Sequence, residues 1–169
     1  MTEKVCTLLF LRRDDEILLA MKKRGFGSGR YNGVGGKIEP DETVEQALER
    51  ECQEEIDVTP LRYWKVAEHD FMQKEGDQPW RMYVHAYLCD DWEGEPTETD
   101  EMAPEWFAIQ DIPYSQMWQD DEYWLPHILA GKKVSGQYTF DKSDVMLTHD
   151  IQLVKELPGI IPVSPIMKG

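Results

Sequence analysis

The chain of 169 residues has no apolar run close to the roughly 20 residues that a transmembrane helix requires. The longest apolar run near its start, Cys6–Leu11, has the length of a buried strand. The first residues also lack the basic start and apolar middle of a secretory signal. We therefore expect a cytoplasmic protein with no membrane partner.

Cysteine is scarce as well. The three cysteines, Cys6, Cys52 and Cys89, cannot all pair, and none lies in a CxxC arrangement. This excludes a disulfide framework or a zinc knuckle and predicts reduced, buried cysteines that pack as small apolar residues. The four histidines show no metal-ligand spacing either.

Basic residues are outnumbered, with 18 Lys and Arg against 33 Asp and Glu and a net charge of −15. Such a surface repels nucleic acid polymers and anionic membranes. A polyphosphate ligand would be repelled too, unless metal ions or a local basic patch compensated. The segment Met21–Arg30 provides such a patch, because it contains Lys22, Lys23, Arg24 and Arg30 and no acid.

The hydrophobic pattern predicts a mixture of strands and helices in one domain. Val5–Leu11 and Glu16–Met21 read as strands joined by a turn at Arg13–Asp15. Six glycines between Gly25 and Gly36 indicate turns and close backbone approach. Strands around a helix favour an α/β (α+β) sandwich. The later predicted segments are strands at Arg62–Phe71, Trp80–Leu88 and Glu105–Ile109, an acidic loop at Asp90–Asp100, helices at Tyr114–Trp118 and Glu122–Leu129, and a hairpin of Gly136–Phe140 with Val145–Leu153.

A helix is predicted from near Asp41 to about Glu55. Asp41 can cap its start, and the sequence Thr59-Pro60 stops it. Plotted at about 100° per residue, the helix has one apolar face that should be buried. The residues of that face are Val44, Ala47, Leu48, Cys52 and Ile56.

Three carboxylates lie on or beside this apolar face. Glu51 and Glu55 fall inside the apolar sector, and Glu54 lies at its edge. Unpaired anions there are costly. Arg50 can pair with Glu54, and a hard divalent cation such as Mg²⁺ suits the other two. The alternative is an acidic face with salt-bridged partners, which leaves the acids on the apolar side unexplained.

The charged residues of this helix belong to a longer motif. Gly36-Lys-Ile-Glu-Pro-Asp-Glu42, seven residues, and then Arg50-Glu-Cys-Gln-Glu-Glu-Ile-Asp-Val58 resemble the Nudix box, G-x5-E-x7-R-E-U-x-E-E-x-G-U, where U is aliphatic. Cys52 and Asp57 depart from it, and neither change removes a carboxylate. The resemblance implies a Nudix fold, a mixed sheet between helices with a loop–helix–loop catalytic motif, and hydrolysis of a nucleoside diphosphate linked to another group.

The same resemblance implies a metal site. It makes Glu51, Glu54 and Glu55 the metal ligands, assisted by the Gly36 carbonyl. It gives Arg50, with Glu42, the role of holding the catalytic loop and helix. Glu101 is implied as a further ligand or a catalytic base. The expected cofactor is Mg²⁺, with Mn²⁺ as the alternative.

The likeness extends beyond the box. From about Thr7 to Lys155 the chain is similar to the animal MutT-like branch of the family, which acts on oxidised purine nucleoside triphosphates. The segments that carry it are Met21–Gly36, Thr99–Met102 and Met117–Trp124. Cys6 and Gln73 depart from it, since aromatic rings stand there in that branch. The substrate-binding residues it implies are Thr7, Lys22, Phe26, Asn32, Phe71, Met82, Trp118, Asp120 and Asp121.

These matches predict Mg²⁺-dependent hydrolysis of oxidised purine (deoxy)nucleoside triphosphates, such as 8-oxo-dGTP and 2-hydroxy-dATP, to monophosphate and pyrophosphate. Two alternatives stay open: a Nudix hydrolase for other modified purine triphosphates or dinucleotides, and a nucleotide-binding module without catalysis. We expect a monomer whose partner is a small nucleotide. The catalytic domain is predicted to span residues 1–156, followed by an extended or disordered extension at 157–169.

Overall fold

The computed structural model describes residues Met1–Pro165, which form eight strands and two α-helices. No helix in that part of the chain is long and apolar enough to cross a membrane. The strands are β1 (Thr2–Arg13), β2 (Glu16–Lys22), β3 (Tyr31–Asn32), β4 (Thr59–Gln73), β5 (Trp80–Glu93), β6 (Met102–Ala108), β7 (Lys133–Phe140) and β8 (Met146–Val154), and the helices are α1 (Val44–Ile56) and α2 (Asp121–Leu129).

The sheet is mixed, as the sequence predicted. Its order is β3-β2-β1-β5-β4-β7-β8, and β6 pairs with β2. The pairs β1–β5 and β4–β7 are parallel, and the other pairs are antiparallel. Strands that are distant in the sequence, such as β4 and β7, therefore lie side by side.

Each face of the sheet carries one helix. Because successive side chains of a strand point to opposite faces, Leu9 and Leu11 of β1 pack with α1, whereas Phe10 packs with α2. All five residues of the predicted apolar helix face are buried on the α1 side. The predicted mixed sheet between helices is confirmed, and so are the three free, buried cysteines.

The predicted helix start was wrong by a few residues. Helix α1 begins at Val44, and Thr43 rather than Asp41 is its N-cap. Thr43 Oγ1 accepts a hydrogen bond from the Gln46 amide at 3.1 Å, and Gln46 Oε1 accepts one from the Thr43 amide at 2.9 Å. This capping box satisfies two free amides reciprocally. Asp41 instead occupies a turn with φ of 70°, and Asp57, the C-cap, takes a left-handed conformation after the helix.

Other segments differ from the prediction as well, and β4 and β7 each begin three residues earlier than predicted. Tyr114–Trp118 is helical only in part: Tyr114–Gln116 forms a 3₁₀ helix, and Met117 after it has an extended backbone and a side chain buried beside α2. Strand β5 continues to Glu93, since its last residues pair with the start of β4, so the acidic loop starts later than Asp90. Strand β6 starts earlier, at Met102, which is buried.

The segment after β8 contacts the sheet. The Gly159 amide donates to Glu68 Oε1 at 2.7 Å, and His85 Nε2 lies 2.7 Å from the Pro162 carbonyl oxygen. Ile161 is only 8% exposed. The domain boundary at residue 156 stays a prediction, and residues 166–169 of the predicted extension lie outside the described residues.

We expect Ile161→Ala to lower the free energy of unfolding by about 2 kcal/mol, because it leaves a cavity under the segment. A neighbouring isoleucine, Ile160, is 69% exposed and provides the matched control, Ile160→Ala. The control should change stability by less than about 0.5 kcal/mol. Urea unfolding measures both, and equal small effects would show that the segment adds nothing to the stability of the fold.

Candidate active site

A cavity of about 220 Å³ is lined by residues of both helices, of β1, β4 and β5, and of the glycine-rich loop. Gly36 and Glu55 of the predicted metal set lie in its wall. The structure also brings together all nine residues of the predicted substrate-binding set, whose binding role stays a prediction. They are Thr7, Lys22, Phe26, Asn32, Phe71, Met82, Trp118, Asp120 and Asp121.

Glycines let the loop before α1 approach its neighbours closely. The Thr7 amide donates to the Gly36 carbonyl at 2.9 Å. A Cβ atom at Gly35 would overlap the Thr7 carbonyl, and one at Gly36 would lie 2.7 Å from the Glu51 carboxyl group. A side chain at Gly35 would force the loop away from the backbone of β1, and one at Gly36 would displace the Glu51 carboxylate.

Glu55 is a buried carboxylate, only 5% exposed. One oxygen accepts a hydrogen bond from the Gly35 amide at 3.0 Å. Burial raises the pKa of Glu55 to about 8, and the nearby Glu51 and Glu101 add to the shift, whereas the Gly35 bond opposes it. The charge of Lys22 opposes the shift as well, but burial outweighs both.

Arg50 joins the acidic residues of the motif. Its guanidinium donates to both oxygens of Glu42 at 2.7 and 2.8 Å, to Glu51 at 2.9 Å and to Glu54 at 3.3 Å. It also donates to the Lys37 carbonyl at 3.1 Å, which fixes the loop against α1. Burial still raises the pKa of Glu51 in spite of this pairing, whereas Arg50 lowers the pKa of Glu42.

Glu101 lies on the loop before β6, next to the motif. Thr99 Oγ1 donates to the Glu55 carbonyl at 2.8 Å and accepts from the Glu101 amide at 3.3 Å. The Lys23 amide donates to the Glu101 carbonyl at 2.9 Å. The Glu101 carboxylate is half exposed and lies 3.7 Å from Arg24. The backbone thus holds Glu101 beside α1, while its carboxylate points towards the Arg24 guanidinium.

The four predicted acidic ligands do not meet at one point. Among residues 1–165, no three His, Cys, Asp or Glu side chains converge where they could hold a metal ion. The physical reason is that Glu51 and Glu54 turn to Arg50, and Glu101 turns to Arg24. The residues nevertheless fit a divalent cation, because Glu55 and Glu51 are desolvated carboxylates and Gly36 leaves room beside them.

Two adjacent buried aspartates start α2. Asp120 Oδ2 accepts a hydrogen bond from Trp124 Nε1 at 2.8 Å, whereas Asp121 Oδ2 has no partner among the described residues. Burial raises the pKa of Asp120 to about 6, and the Trp124 bond limits that rise. Burial and the charge of Asp120 raise the pKa of Asp121 well above the ordinary range. The two carboxyls therefore titrate as a pair, and the hydrogen bond from Trp124 favours Asp120 as the member that ionises first.

Trp118 has two neighbours on its ring. Phe26 stacks on it with centroids 5.2 Å apart, and the Arg30 guanidinium lies 4.2 Å from the ring centroid. Phe26 is 41% exposed. A base that stacks on Trp118 would take the place of one of these side chains.

Several cavity residues were missed by the sequence analysis. Lys4 and Lys37 line the cavity beside Lys22, whereas Lys23 pairs with Glu98 at 2.6 Å, outside it. Trp124 was missed although its position four residues after Asp120 on a helix was a usable signal. The cavity residues Trp80 and Phe140 gave no sequence signal, because only the strand pairing brings them next to Phe26 and Trp118.

The aspartate pair should make stability depend on pH. Because the folded state raises the pKa of both carboxyls, the folded protein binds more protons than the unfolded chain, and stability falls as pH rises above about 4. The part due to Asp120 is lost through about pH 6, and the part due to Asp121 is lost at higher pH. We expect Asp121→Asn to make Tm fall less steeply as pH rises. At about pH 7.5 its Tm should be a few degrees above that of the wild type, which corresponds to about 1 kcal/mol in the free energy of unfolding.

The matched control is Glu122→Gln, which changes an exposed neighbouring carboxylate. Its Tm should follow the wild-type curve at every pH, because this carboxylate lies on the surface and the buried pair is unchanged. Thermal unfolding followed by circular dichroism measures all three proteins. If the plots of Tm against pH for the wild type and Asp121→Asn were parallel, ionisation of the buried pair would not destabilise the folded protein.

Comparisons with known proteins agree with this geometry. The oxidized purine nucleoside triphosphate hydrolase of Danio rerio is 43% identical over 156 residues, covering 92% of this chain and 99% of that protein. The mouse protein of the same name is 39% identical over 153 residues, covering 90% of this chain and 97% of that protein.

A solved structure shares the fold. The MutT protein from Bacillus halodurans superimposes with a TM-score of 0.78 over 88% of this chain and 97% of that chain, at 19% identity. The sequence family described as the NUDIX domain matches residues 2–128, which include the whole motif, α1 and all but the last residue of α2. The chain belongs to the Nudix hydrolase family.

Proposed function

We propose that this protein is a Mg²⁺-dependent hydrolase of oxidised purine nucleoside triphosphates, such as 8-oxo-dGTP and 2-hydroxy-dATP, and that it releases the monophosphate and pyrophosphate. The main observation in support is that one cavity contains both the motif carboxylate Glu55 and the buried pair Asp120 and Asp121. The names of the two animal relatives point to the same substrate class.

The polar groups of the cavity suit a modified purine. Asn32 Oδ1 accepts from the Gly33 amide at 2.8 Å, so its NH₂ group is left to donate to a base. Protonated Asp121 can donate, and ionised Asp120 can accept. Oxidised guanine bears an N7–H donor and a C8 carbonyl acceptor, and this pair of carboxyls matches both. Phe71 and Trp118 line the cavity, and their rings would pack against the purine ring of the substrate.

The triphosphate needs positive charge in a chain of net charge −15. Lys22 lines the cavity and supplies part of it. Glu51, Glu54, Glu55, Glu101 and the Gly36 carbonyl would hold Mg²⁺. The metal, when bound, neutralises phosphate charge and lowers the pKa of the attacking water.

Residues of the chain orient the carboxylates that would hold the metal and supply a candidate base. Arg50 keeps Glu51 and Glu54 on one side of α1, and the Gly35 amide fixes one oxygen of Glu55. Glu101 is the candidate to accept the proton of the attacking water, since its carboxylate is half exposed and paired only weakly with Arg24.

We further propose that the protein acts as a monomer in the cytoplasm. The charge of −15 supports small nucleotides rather than nucleic acid polymers as its partners. Sedimentation at micromolar concentration measures the oligomeric state directly.

The test is pyrophosphate release with Mg²⁺ from oxidised guanine, oxidised adenine, methylated purine and normal purine triphosphates. We expect kcat/KM for the oxidised purines to exceed that for normal ones by about 100-fold, since the site pairs polar groups that the normal base leaves unpaired. Chelation of the metal should abolish turnover. Turnover without this preference would contradict the substrate proposal. Binding without any turnover would contradict catalysis and favour a nucleotide-binding module.

Two residues at the base site favour testing a second substrate class, methylated purine triphosphates or dinucleotides. Cys6 and Gln73 stand where the animal branch has aromatic rings, and Cys6 lines the cavity. A wall with fewer rings packs less tightly on a base. A preference for methylated purine triphosphates or dinucleotides in the same panel would identify this alternative.

A further inference from the structure

A hydrogen-bonded pair of buried side chains lies just outside the cavity, on the α2 side of the sheet. Tyr138 Oη and His69 Nδ1 are 3.0 Å apart, and the two residues are 1% and 0% exposed. Neither side chain lines the cavity. Two apolar residues would fill this core space without the cost of burying polar groups, so the pair calls for a role beyond packing.

The pair contacts two parts of the cavity wall, and His69 reaches both, since its ring centroid also lies 5.4 Å from that of Phe71. The Tyr138 ring stacks on Phe71 with centroids 4.6 Å apart and an angle of 20° between the planes. The His69 ring lies 4.3 Å from the Trp124 ring. Trp124 donates the 2.8 Å hydrogen bond to Asp120. The His69–Tyr138 bond thus connects the aromatic wall at Phe71 with the residue that orients Asp120.

The fold makes specific room for the Tyr138 hydroxyl. A Cβ atom at Gly136 would overlap that hydroxyl, so this strand position must be glycine while Tyr138 keeps its orientation. Glycine in a strand interior is otherwise destabilising. The hydroxyl therefore has a defined place in the packing of β7 against β4.

The pair positions its neighbours without adding charge. Burial lowers the pKa of His69 to about 3, so the ring is neutral, and burial raises the pKa of Tyr138, so the phenol keeps its proton. Because the His69–Tyr138 pair is neutral, it does not neutralise the charge of the Asp120–Asp121 pair, and that charge can interact with the substrate. What it contributes is orientation of the Trp124 and Phe71 rings.

We propose that His69 and Tyr138 are positioning residues that determine which modified purine the cavity prefers. Their hydrogen bond holds Trp124 against Asp120 and Phe71 against the base, so the spacing between the aromatic wall and the aspartate pair depends on it. The inference rests on the proposed function and adds to it two residues, on β4 and β7, that do not touch the substrate.

The test compares Tyr138→Phe with the wild type. This variant removes only the hydroxyl and keeps the ring that stacks on Phe71. The matched control is Thr139→Val, which removes a hydroxyl from the next residue of the strand, where it bonds to Thr148 at 2.6 Å on the exposed surface. For each protein, the ratio of kcat/KM for 8-oxo-dGTP to that for 2-hydroxy-dATP is measured with Mg²⁺. The Kd values of the two product monophosphates are measured without metal.

We expect Tyr138→Phe to change both ratios by about tenfold, through KM and Kd, while kcat for the better substrate stays within about twofold. Thr139→Val should leave both ratios unchanged. Unchanged ratios in a folded Tyr138→Phe protein would overturn the inference, because a purely structural pair would lower Tm without altering selectivity.

A second variant covers the case in which Tyr138→Phe does not fold. The double variant His69→Leu with Tyr138→Phe replaces the polar pair by an apolar one, so no buried group is left unpaired. It should show the same altered ratios, and wild-type ratios in it would also overturn the inference. Failure of the proposed function is a different result, namely a wild type that binds the modified monophosphates but does not hydrolyse the triphosphates.

Discussion

Glu55→Gln is expected to reduce kcat by roughly 1000-fold, which corresponds to about 4 kcal/mol of transition-state stabilisation. The neutral amide is isosteric, but it cannot offer an anionic oxygen to a divalent cation. The fold should persist, and stability without metal should increase at neutral pH, because the carboxylate it replaces is buried and has a raised pKa. Pyrophosphate release with saturating Mg²⁺ and thermal unfolding without metal measure the two effects.

Glu49→Gln is the matched control on the same helix. Glu49 is exposed and accepts a hydrogen bond from the Tyr63 hydroxyl at 2.9 Å, away from the cavity. Its kcat should stay within about twofold of the wild type, because surface changes away from the site have small effects. If Glu55→Gln unfolded the protein, the carboxylate would be structural, and if it retained full kcat, Glu55 would not take part in catalysis.

Asp121→Ala is expected to lower kcat/KM for oxidised purines by about 100-fold, mainly through KM. Asp121 Oδ2 is buried without a partner, so a base that enters the cavity would supply one. Loss of a hydrogen bond to a charged or buried polar group costs about 1.5–3 kcal/mol, which is about 10- to 150-fold. Kinetics with oxidised and normal purine triphosphates, at a pH where Asp120 is ionised, measure the loss.

The control for this variant is Glu122→Ala, the next residue of α2, which is exposed. It should leave KM for every nucleotide unchanged. The size of the loss must also depend on the base: Asp121→Ala should narrow the preference for oxidised over normal purines. Equal losses for all purines would contradict base recognition by Asp121 and would point to a general disturbance of α2.

Local sequence was sufficient for the catalytic helix. The angular positions of Glu51, Glu54 and Glu55 predicted two acids inside the apolar sector and one at its edge. The structure agrees, since Glu55 is 5% exposed and the side chains of Glu51 and Glu54 are 13% and 55% exposed. A helix has a fixed period of 3.6 residues, so spacing alone determines which residues share a face.

Helix ends and short segments were less predictable. Asp41 and Thr43 are both good caps by composition, and the choice between them depended on Gln46, which completes a capping box only with Thr43. The segment at Tyr114 forms only a 3₁₀ helix at Tyr114–Gln116, and the buried Met117 that follows it has an extended backbone. A single capping interaction, or the burial of one side chain, can outweigh local propensity, because propensities differ by less than about 1 kcal/mol per residue.

The sequence by itself determined the family motif, the acidic face of α1, the mixed sheet between helices and the candidate residues for a modified base. Only the tertiary structure decided how they combine. The parallel pairing of β4 with β7 brings His69 to Tyr138 across 69 positions of sequence. Arg50 and Arg24 draw three acids away from a common point. Strand register and competition among charges involve groups far apart in the chain, and no local pattern encodes them.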